Sequence, residues 1–342
     1  MNPVVHDVYE LSLASSGKLK LRAKALLAEG TPDTVFRACV LLHEAARIQR
    51  RALQALPACP PVTLLSSRVE ECWCFIEGRD PLRAAVTWGE MLQAWEGVEA
   101  ATAEAILSRL APRFRAFQQE FAHLATPRLI ALSDAGPGAS LSRTEAAKAR
   151  KDLDALLARF PGAVNFWAMR CHLAEREQDK SGAWDALGRA RQLDPSDPTL
   201  AALSLGLVPW ALPPADAEQY LAGVRGTIEG AAADICFMYA LAEVVLARGA
   251  RPDERALRWG RARAAAEAGR ARANSPGLRR YLTAVQLLLD ELFAGREPTM
   301  EILYRAGLGE AAAMEKPDTN VVDFLTARAR RVGPGAELRE AA

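Results

Sequence analysis

The sequence predicts an all-α protein, and three observations lead to that prediction. Apolar residues recur at the 3.6-residue period of a helix. Several prolines follow a residue that caps helices well, and we find no convincing alternating run of valine, isoleucine and aromatic residues typical of strands. Half of the 342 residues are hydrophobic and a quarter are charged, so we expect a well-buried interior, arranged as two domains or as one elongated array.

Two apolar stripes show the helical period most clearly. The first is bounded by a capping-box pattern, Ser142 with Glu145, and by the helix-ending pair Pro161-Gly162. The two stripes are Leu153, Leu156, Leu157 and Phe160, and Trp88, Met91, Leu92 and Trp95. Each stripe therefore predicts an amphipathic helix with one face against a core.

Four proline pairs predict helix starts. Proline fits the first helical turn because its missing N–H would have no partner within the helix there. The pairs are Thr31-Pro32, Asp80-Pro81, Asp197-Pro198 and Ser275-Pro276. Asp194-Pro195 has the opposite role, because the residue before a proline is disfavoured in the α region. The stretch "LDPSDP" is therefore predicted to end one helix and begin the next.

That junction closes the segment 164–197, in which two predicted helices are separated by a break near "EQDKSG". Small alanines would let the helices approach closely, while larger side chains fill the space between them. The segment resembles the tetratricopeptide repeat through Trp167, Ala183, Leu187, Ala190 and Pro195. It departs from the family pattern at Arg170, Cys171 and Ala174.

The resemblance implies an architecture and a binding face. Because a single repeat cannot bury its own hydrophobic face, neighbours must stack on it, and we expect an α-solenoid of irregular helical hairpins. Weaker matches to the repeat pattern lie around "LLAEG" and "LARG". In this family the first helix of each hairpin lines the concave surface. The resemblance therefore implies a partner-binding face made of Asn165, Met169, His172 and Arg176, with Arg176 able to hold a carboxylate.

One internal stretch is the best candidate for a domain boundary. Residues 132–145 are dense in glycine, proline and serine. They divide an N-terminal helical unit, 1–132, from a repeat-like unit, 143–332, or they form one long loop. The tail, 333–342, is expected to be frayed.

The net charge and the distribution of apolar residues exclude several classes of function. A formal net charge of +1 gives no global attraction to nucleic acid or to acidic membranes. The N-terminus lacks the pattern of a signal peptide, and the longest apolar stretch, "AALSLGLVPWALPP", is too short to span a bilayer. We therefore expect a cytoplasmic protein. The abundance of arginine and alanine is typical of a GC-rich, bacterial genome.

Three motifs suggest chemistry, but each has a simpler structural explanation. The motif "HEAAR" has Arg47 where the zinc-protease helix needs its second imidazole. Cys72 and Cys74 would point about 200° apart on a helix, and no second ligand pair accompanies them. Cys171 and His172 are adjacent, so their side chains point in different directions. We expect no catalytic residue, no metal and no cofactor from these motifs.

The segment from Arg251 to Arg280 carries the strongest local charge. Within it Arg251, Arg255 and Arg258 share one helical face at i, i+4 and i+7. Such a basic stripe could bind nucleic-acid phosphates or an acidic partner. The simpler explanation is a solvated outer face on which Glu254 pairs with Arg258.

Three hypotheses about function follow. The first is a non-enzymatic adaptor that presents a helical-repeat groove to another protein. The second is a regulator that binds nucleic acid or an acidic partner through the basic stripe. The third is an all-α enzyme whose site is assembled from distant helices.

Overall fold

The computed structural model describes residues 3–56, 59–133 and 143–308, together with Val322 and Leu325. Among these residues every regular element is an α-helix, so the all-α prediction is confirmed. None of the described helices is long and apolar enough to cross a membrane.

The fifteen helices of the described residues follow one another closely. They are α1 (Pro3–Glu29), α2 (Pro32–Gln54), α3 (Pro61–Glu77), α4 (Pro81–Trp95), α5 (Ala100–Leu107), α6 (Ala111–Ser133), α7 (Arg143–Arg159), α8 (Val164–Arg176), α9 (Lys180–Leu193), α10 (Pro198–Ala211), α11 (Pro214–Ile228), α12 (Ala233–Ala247), α13 (Pro252–Arg272), α14 (Pro276–Phe293) and α15 (Glu301–Arg305).

The predicted helix starts are confirmed, with one difference in detail. Thr31, Asp80 and Asp197 each accept a hydrogen bond from a backbone amide in the first turn of the following helix. Ser275 precedes α14 at the predicted place, but its side chain makes no capping hydrogen bond. Helix α9 ends at Leu193, directly before the Asp194-Pro195 pair.

The chain divides by its contacts into two compact units. Unit 1 comprises Met1–Glu177 and Gly188–Asp194, and unit 2 comprises Gln178–Leu187 and Pro195–Ala342. Helices α6 and α7, on either side of the predicted boundary, both belong to unit 1. Residues 134–142 and the tail 333–342 lie outside the described residues, so the boundary and the frayed tail stay predictions. Ser142 of the predicted capping box also lies outside them, although α7 begins at Arg143.

Unit 1 is built by helices that pack on their neighbours in sequence. Helix α2 packs against α1 and α3, α3 against α4, and α7 against both α6 and α8. All four residues of the predicted stripe at the end of α7 are buried, as expected: Leu153, Leu156, Leu157 and Phe160. The predicted stripe on α4 includes one residue that is not buried. Met91 is fully buried, as predicted, whereas Leu92 is 47% exposed. One residue is a 100° turn of the helix, and this turn carries Leu92 out of the interface.

Unit 2 is centred on helix α12, which is buried along most of its length. Helices α10, α13 and α14 pack around it. A Cβ built on Gly269 of α13 would lie 2.7 Å from Cβ of Cys236 on α12, so the missing side chain allows the two helices to approach closely. Val322 and Leu325 are also buried in this core.

Two turns of unit 1 meet through their backbones. The turn between α3 and α4 contains Gly78, and the turn between α7 and α8 contains Gly162. A Cβ built on Gly162 would lie 1.7 Å from the carbonyl oxygen of Gly78. Because backbone cannot move aside as a flexible side chain can, only glycine fits at position 162.

Replacement of this glycine tests the close approach. We expect Gly162→Ala to lower the free energy of unfolding by about 3 kcal/mol, since the new methyl group must displace one of the turns. The measurement is equilibrium unfolding in urea.

The matched control is Gly89→Ala on the exposed side of α4, where nothing lies within 4 Å of the added methyl group. This change should raise the free energy of unfolding by about 1 kcal/mol because alanine has the higher helix propensity. A Gly162→Ala protein as stable as the wild type would contradict the described contact between the turns.

Candidate functional site

Helix α8 carries the four residues that the sequence predicts as a partner-binding face. Their spacing places them along one side of the helix. Asn165 is exposed, and Met169, His172 and Arg176 are half-buried. Cys171 and Ala174, on the opposite side, are fully buried. The helix therefore has one packed side and one side that solvent reaches.

The packed side of α8 is anchored by an aromatic residue. The Trp167 indole donates a hydrogen bond from Nε1 to the carbonyl oxygen of Pro161 at 2.8 Å. Its ring meets Phe36 edge to face, with 5.9 Å between the ring centroids. The Arg189 guanidinium lies 4.9 Å from the Phe36 centroid and 5.1 Å from that of Trp167. These contacts hold α8 against α2 and the end of α9 within unit 1.

The accessible side of α8 has a mixed character. The His172 side chain is 40% exposed, and its Nδ1 lies 3.1 Å from Oε2 of Glu175. Met169 packs partly against the core of unit 1. The face thus offers an amide, a thioether, an imidazole and a guanidinium within three helical turns.

The three arginines of the predicted basic stripe have different surroundings. Arg251 is exposed at the start of α13. The Arg255 guanidinium donates to the carbonyl oxygens of Ala247 at 3.2 Å and Ala250 at 3.1 Å, where α12 ends. Arg258 is only 5% exposed. The structure therefore does not bring these three guanidinium groups to one exposed surface.

Arg258 is the centre of a buried ion-pair network in unit 2. Its Nη1 lies 2.9 Å from Oε2 of Glu243, a fully buried residue, and its Nη2 lies 2.6 Å from Oε2 of Glu218. Glu254, one turn earlier on α13, lies 3.4 Å from the same guanidinium. The Tyr239 hydroxyl donates to Oε1 of Glu243 at 2.9 Å. Several carboxylates thus compensate the buried cation.

The same network shifts two pKa values. Burial, followed by the negative charge of Glu243, raises the pKa of Tyr239 to about 12. Burial by itself would lower the pKa of Arg258, but its hydrogen bond to Glu243 and the charge of Glu218 raise it overall. Tyrosine and arginine therefore keep their protons at neutral pH, and the network serves as a structural element of unit 2.

The histidine of the "HEAAR" motif lies inside unit 1. Nε2 of His43 is 3.7 Å from Oδ2 of Asp80, and the two side chains are 0% and 2% exposed. The Phe75 ring meets the imidazole edge to face, with 5.2 Å between the centroids. His43 is thus a core residue at the junction of α2 with the first turn of α4.

Two arginines and a second aspartate surround this pair. Asp194 lies 2.5 Å from Nη2 of Arg83 and 3.6 Å from Nη1 of Arg47. Arg83 also places Nε 3.6 Å from Oδ2 of Asp80. Arg47, which occupies the place of a metal-binding histidine, donates to the Leu193 carbonyl oxygen at 3.0 Å and pairs with Glu44 on its own helix.

Burial moves the pKa values of the pair in opposite senses. It raises the pKa of Asp80 to about 6, although Arg83 and the backbone amides of Arg83, Val164 and Leu82 act to lower it. It lowers the pKa of His43 to about 3, and the positive charges of Arg83 and Arg47 act in the same direction. At pH 7, Asp80 is therefore ionised and His43 is neutral.

The cysteines that the sequence singles out are buried thiols. Burial raises the pKa of both Cys72 and Cys74 to about 12, and it raises that of Cys171 as well. The Cys72 thiol donates to the Ala84 carbonyl oxygen at 3.5 Å. Because the thiolate is the reactive form of cysteine, these three side chains are poor nucleophiles.

The sequence alone does not predict the cluster around His43. In the sequence, Asp80 and Asp194 are recognisable only as residues that begin and end helices. The hydrogen bond between Arg83 and Asp194 joins positions 111 residues apart. Local patterns carry no signal for such a contact, although two aspartates that both precede proline do mark rigid positions.

The buried network of unit 2 can be tested by removal of its cation. We expect Arg258→Met to lower the free energy of unfolding by about 3–5 kcal/mol, because the buried Glu243 then keeps the more distant Arg261, at 3.8 Å, as its cationic neighbour. The double variant Arg258→Met/Glu243→Met should recover most of this loss. Arg251→Met, at the exposed start of the same helix, should change the stability by less than about 0.5 kcal/mol. Equal effects of Arg258→Met and Arg251→Met in urea unfolding would contradict the burial of Arg258.

The opposite pKa shifts in unit 1 predict opposite pH dependences for two variants. A folded-state pKa of His43 lowered from 6.5 means that stability is lost as pH falls below 6.5. A folded-state pKa of Asp80 raised from 3.8 to about 6 means that stability is gained as pH falls from 6 towards 4. In the wild type the two contributions largely cancel over this range.

Replacement of either residue should make the pH dependence contributed by the other measurable. Relative to the wild type, Asp80→Asn should lose stability between pH 6 and pH 4, and His43→Phe should gain stability over the same range. Each slope should approach about 1.4 kcal/mol per pH unit. The measurement is urea unfolding at half-unit steps of pH. Slopes parallel to that of the wild type would contradict the shifted pKa values.

Comparison of the chain with protein-family models, curated proteins and solved structures finds no match. The resemblance of 164–197 to a tetratricopeptide repeat therefore stays a prediction from sequence.

Proposed function

We propose that the protein is a non-enzymatic adaptor that binds a segment of another protein along the accessible side of α8. The observation that carries the proposal is the two-sided character of this helix. Trp167, Cys171 and Ala174 anchor one side, and the other presents a mixed row of polar and apolar groups. A rigid helix with an accessible, chemically mixed face is a common platform for peptide recognition. The proposed setting is the cytoplasm, within a solenoid of tetratricopeptide-like hairpins.

The chemistry of the face favours a segment with an acidic side chain. Asn165 offers an amide donor and acceptor that suit a peptide backbone, and Met169 offers an adaptable apolar contact. The Arg176 guanidinium has five N–H donors, so it can receive a carboxylate bidentately beside its existing contact. The family's carboxylate clamp has lysine and asparagine where this chain has Ala168 and His172. We therefore propose an extended peptide or helix with internal acidic residues as the partner.

The alternatives receive less support from the surroundings of their candidate residues. For the regulator, Arg258 is neutralised by Glu243 and Glu218, and Arg255 binds carbonyl groups at the end of α12. For the enzyme, His43 is fully buried and the thiols of Cys72 and Cys171 have raised pKa values. An active site needs groups that a substrate can reach.

The test is the affinity of a captured partner for two matched double variants. After affinity capture from the native cell, the partner is purified and its Kd is measured by calorimetry. We expect His172→Ala/Arg176→Ala to weaken binding at least tenfold, or about 1.4 kcal/mol. The control, His123→Ala/Arg115→Ala, removes the same two side-chain types from exposed positions of α6 and should leave Kd within twofold.

Circular dichroism must first show that both variants keep their helix content. A folded His172→Ala/Arg176→Ala protein with unchanged Kd would contradict the proposed face. A polynucleotide affinity that falls steeply with salt and is lost in Arg251→Ala would favour the regulator instead.

A further inference from the structure

His43 and Asp80 leave polar atoms without partners in the interior of unit 1. Neither ring nitrogen of His43 has a hydrogen-bond partner at good geometry, although the backbone of Gly162 lies close enough to act on the imidazole, and Oδ2 of Asp80 has no such partner either. Nε2 and Oδ2 face each other across 3.7 Å. This separation is too long for a hydrogen bond. Because a buried polar atom without a hydrogen bond is destabilising, each of these two atoms is stabilised if the other becomes its hydrogen-bond partner.

We infer that His43 and Asp80 together form a buried site for a single proton, which they share across the gap between Nε2 and Oδ2. In the tautomer of neutral His43 that carries its ring hydrogen on Nδ1, neither Nε2 nor Oδ2 has a proton, and one taken from solvent makes either atom a donor while the other remains an acceptor. A hydrogen bond then needs the atoms to approach by roughly 1 Å, which side-chain rotation can supply. The one proton thus satisfies both atoms.

The charges around the pair permit this uptake. Arg83 and Arg47 face it from α4 and α2, and they are engaged by Asp194 and Glu44. Arg79, in the preceding turn, and Asp80 both lie close enough to the Cys39 thiol to act on its pKa, in opposite directions. The carboxylates thus balance much of the positive charge that would otherwise repel a proton. The raised pKa of Asp80, about 6, places the first uptake by the pair close to neutral pH.

Proton uptake has a structural consequence at two helix starts. Oδ1 of Asp80 accepts a hydrogen bond from the Arg83 amide in α4 at 3.1 Å. The carboxylate also interacts with the amide of Val164, the first residue of α8. Hydrogen bonds to an ionised acceptor are stronger than those to a neutral one, so protonation weakens the hold of Asp80 on both helices. The pair therefore makes the start of α8 respond to pH, and only the effect on partner binding rests on the proposed function.

Nuclear magnetic resonance of the full-length wild type tests the site directly. The protein is labelled with ¹⁵N in histidine, ¹³C in aspartate carboxyl groups and ¹⁵N in valine, and is titrated from pH 8 to pH 4.5. The chain has four histidines, and the signal missing from His43→Phe identifies His43. We expect the Asp80 carboxyl, the His43 ring nitrogens and the Val164 amide to shift together, with one midpoint near pH 6.

Asp80→Asn is the matched variant, because asparagine keeps the shape and the capping oxygen but takes up no proton. It should abolish the common transition and leave the exposed His123 signal as in the wild type. If this variant does not fold, the wild-type titration alone decides the question.

Three outcomes would each contradict part of the inference. An Asp80 carboxyl that titrates near pH 4 would remove the proton site. A His43 ring signal that stays constant through the Asp80 transition would show an ordinary buried carboxyl and no shared proton, and a constant Val164 amide would remove the link to α8. No partner is present in these measurements, so they are independent of the proposed function.

Discussion

Every α-helix leaves backbone N–H groups at its start and carbonyl groups at its end without partners, and side chains of this protein satisfy both. Asp80 and Asp197 accept from amides at the starts of α4 and α10. At helix ends the donors are arginines: Arg255 reaches the carbonyl of Ala247, and Arg279 reaches that of Ala273 at 2.8 Å. In an all-helical chain with short connections, this requirement recurs at each junction. Between Arg251 and Arg280, three arginines donate to carbonyl groups in this way: Arg255, Arg272 and Arg279.

The two units bury charge in contrasting ways. In unit 2, Arg258 and Glu243 form a buried ion pair, and Tyr239 and Glu218 complete the network. Such a network costs a great deal to break. In unit 1, His43 and Asp80 are equally buried but make no hydrogen bond to each other. Burial raises the pKa of Asp80 to about 6, whereas the shifted pKa values of Tyr239 and Arg258 keep both groups protonated at neutral pH.

Helix α8 carries the proposed binding face and is held in place by several contacts within unit 1. Its first residue, Val164, faces Asp80, and its next turn is fixed by Trp167 between Phe36 and Arg189. Directly before it, Gly162 brings the α7–α8 turn onto Gly78. These contacts leave little freedom to the helix as a body. Asn165, His172 and Arg176 are therefore presented on a fixed scaffold, which lowers the entropy that a partner must offset on binding.

The sequence by itself determined the helical class, the helix starts at proline pairs and the buried stripe on α7. These features depend on residues within a turn or two of each other, where periodicity and capping chemistry act directly. Tertiary structure alone decided which arginine of α13 is buried, why Leu92 faces solvent and why position 162 must be glycine. It also brought Asp80 to His43 and Asp194 to Arg83, since partners so far apart in the chain meet only when helices pack.

For the candidate site, the sequence placed the four residues of α8 on one side through their helical spacing. Their exposure was decided by the burial of Cys171 and Ala174 on the other side, because packing, which depends on the whole of unit 1, determines which side of a helix solvent reaches.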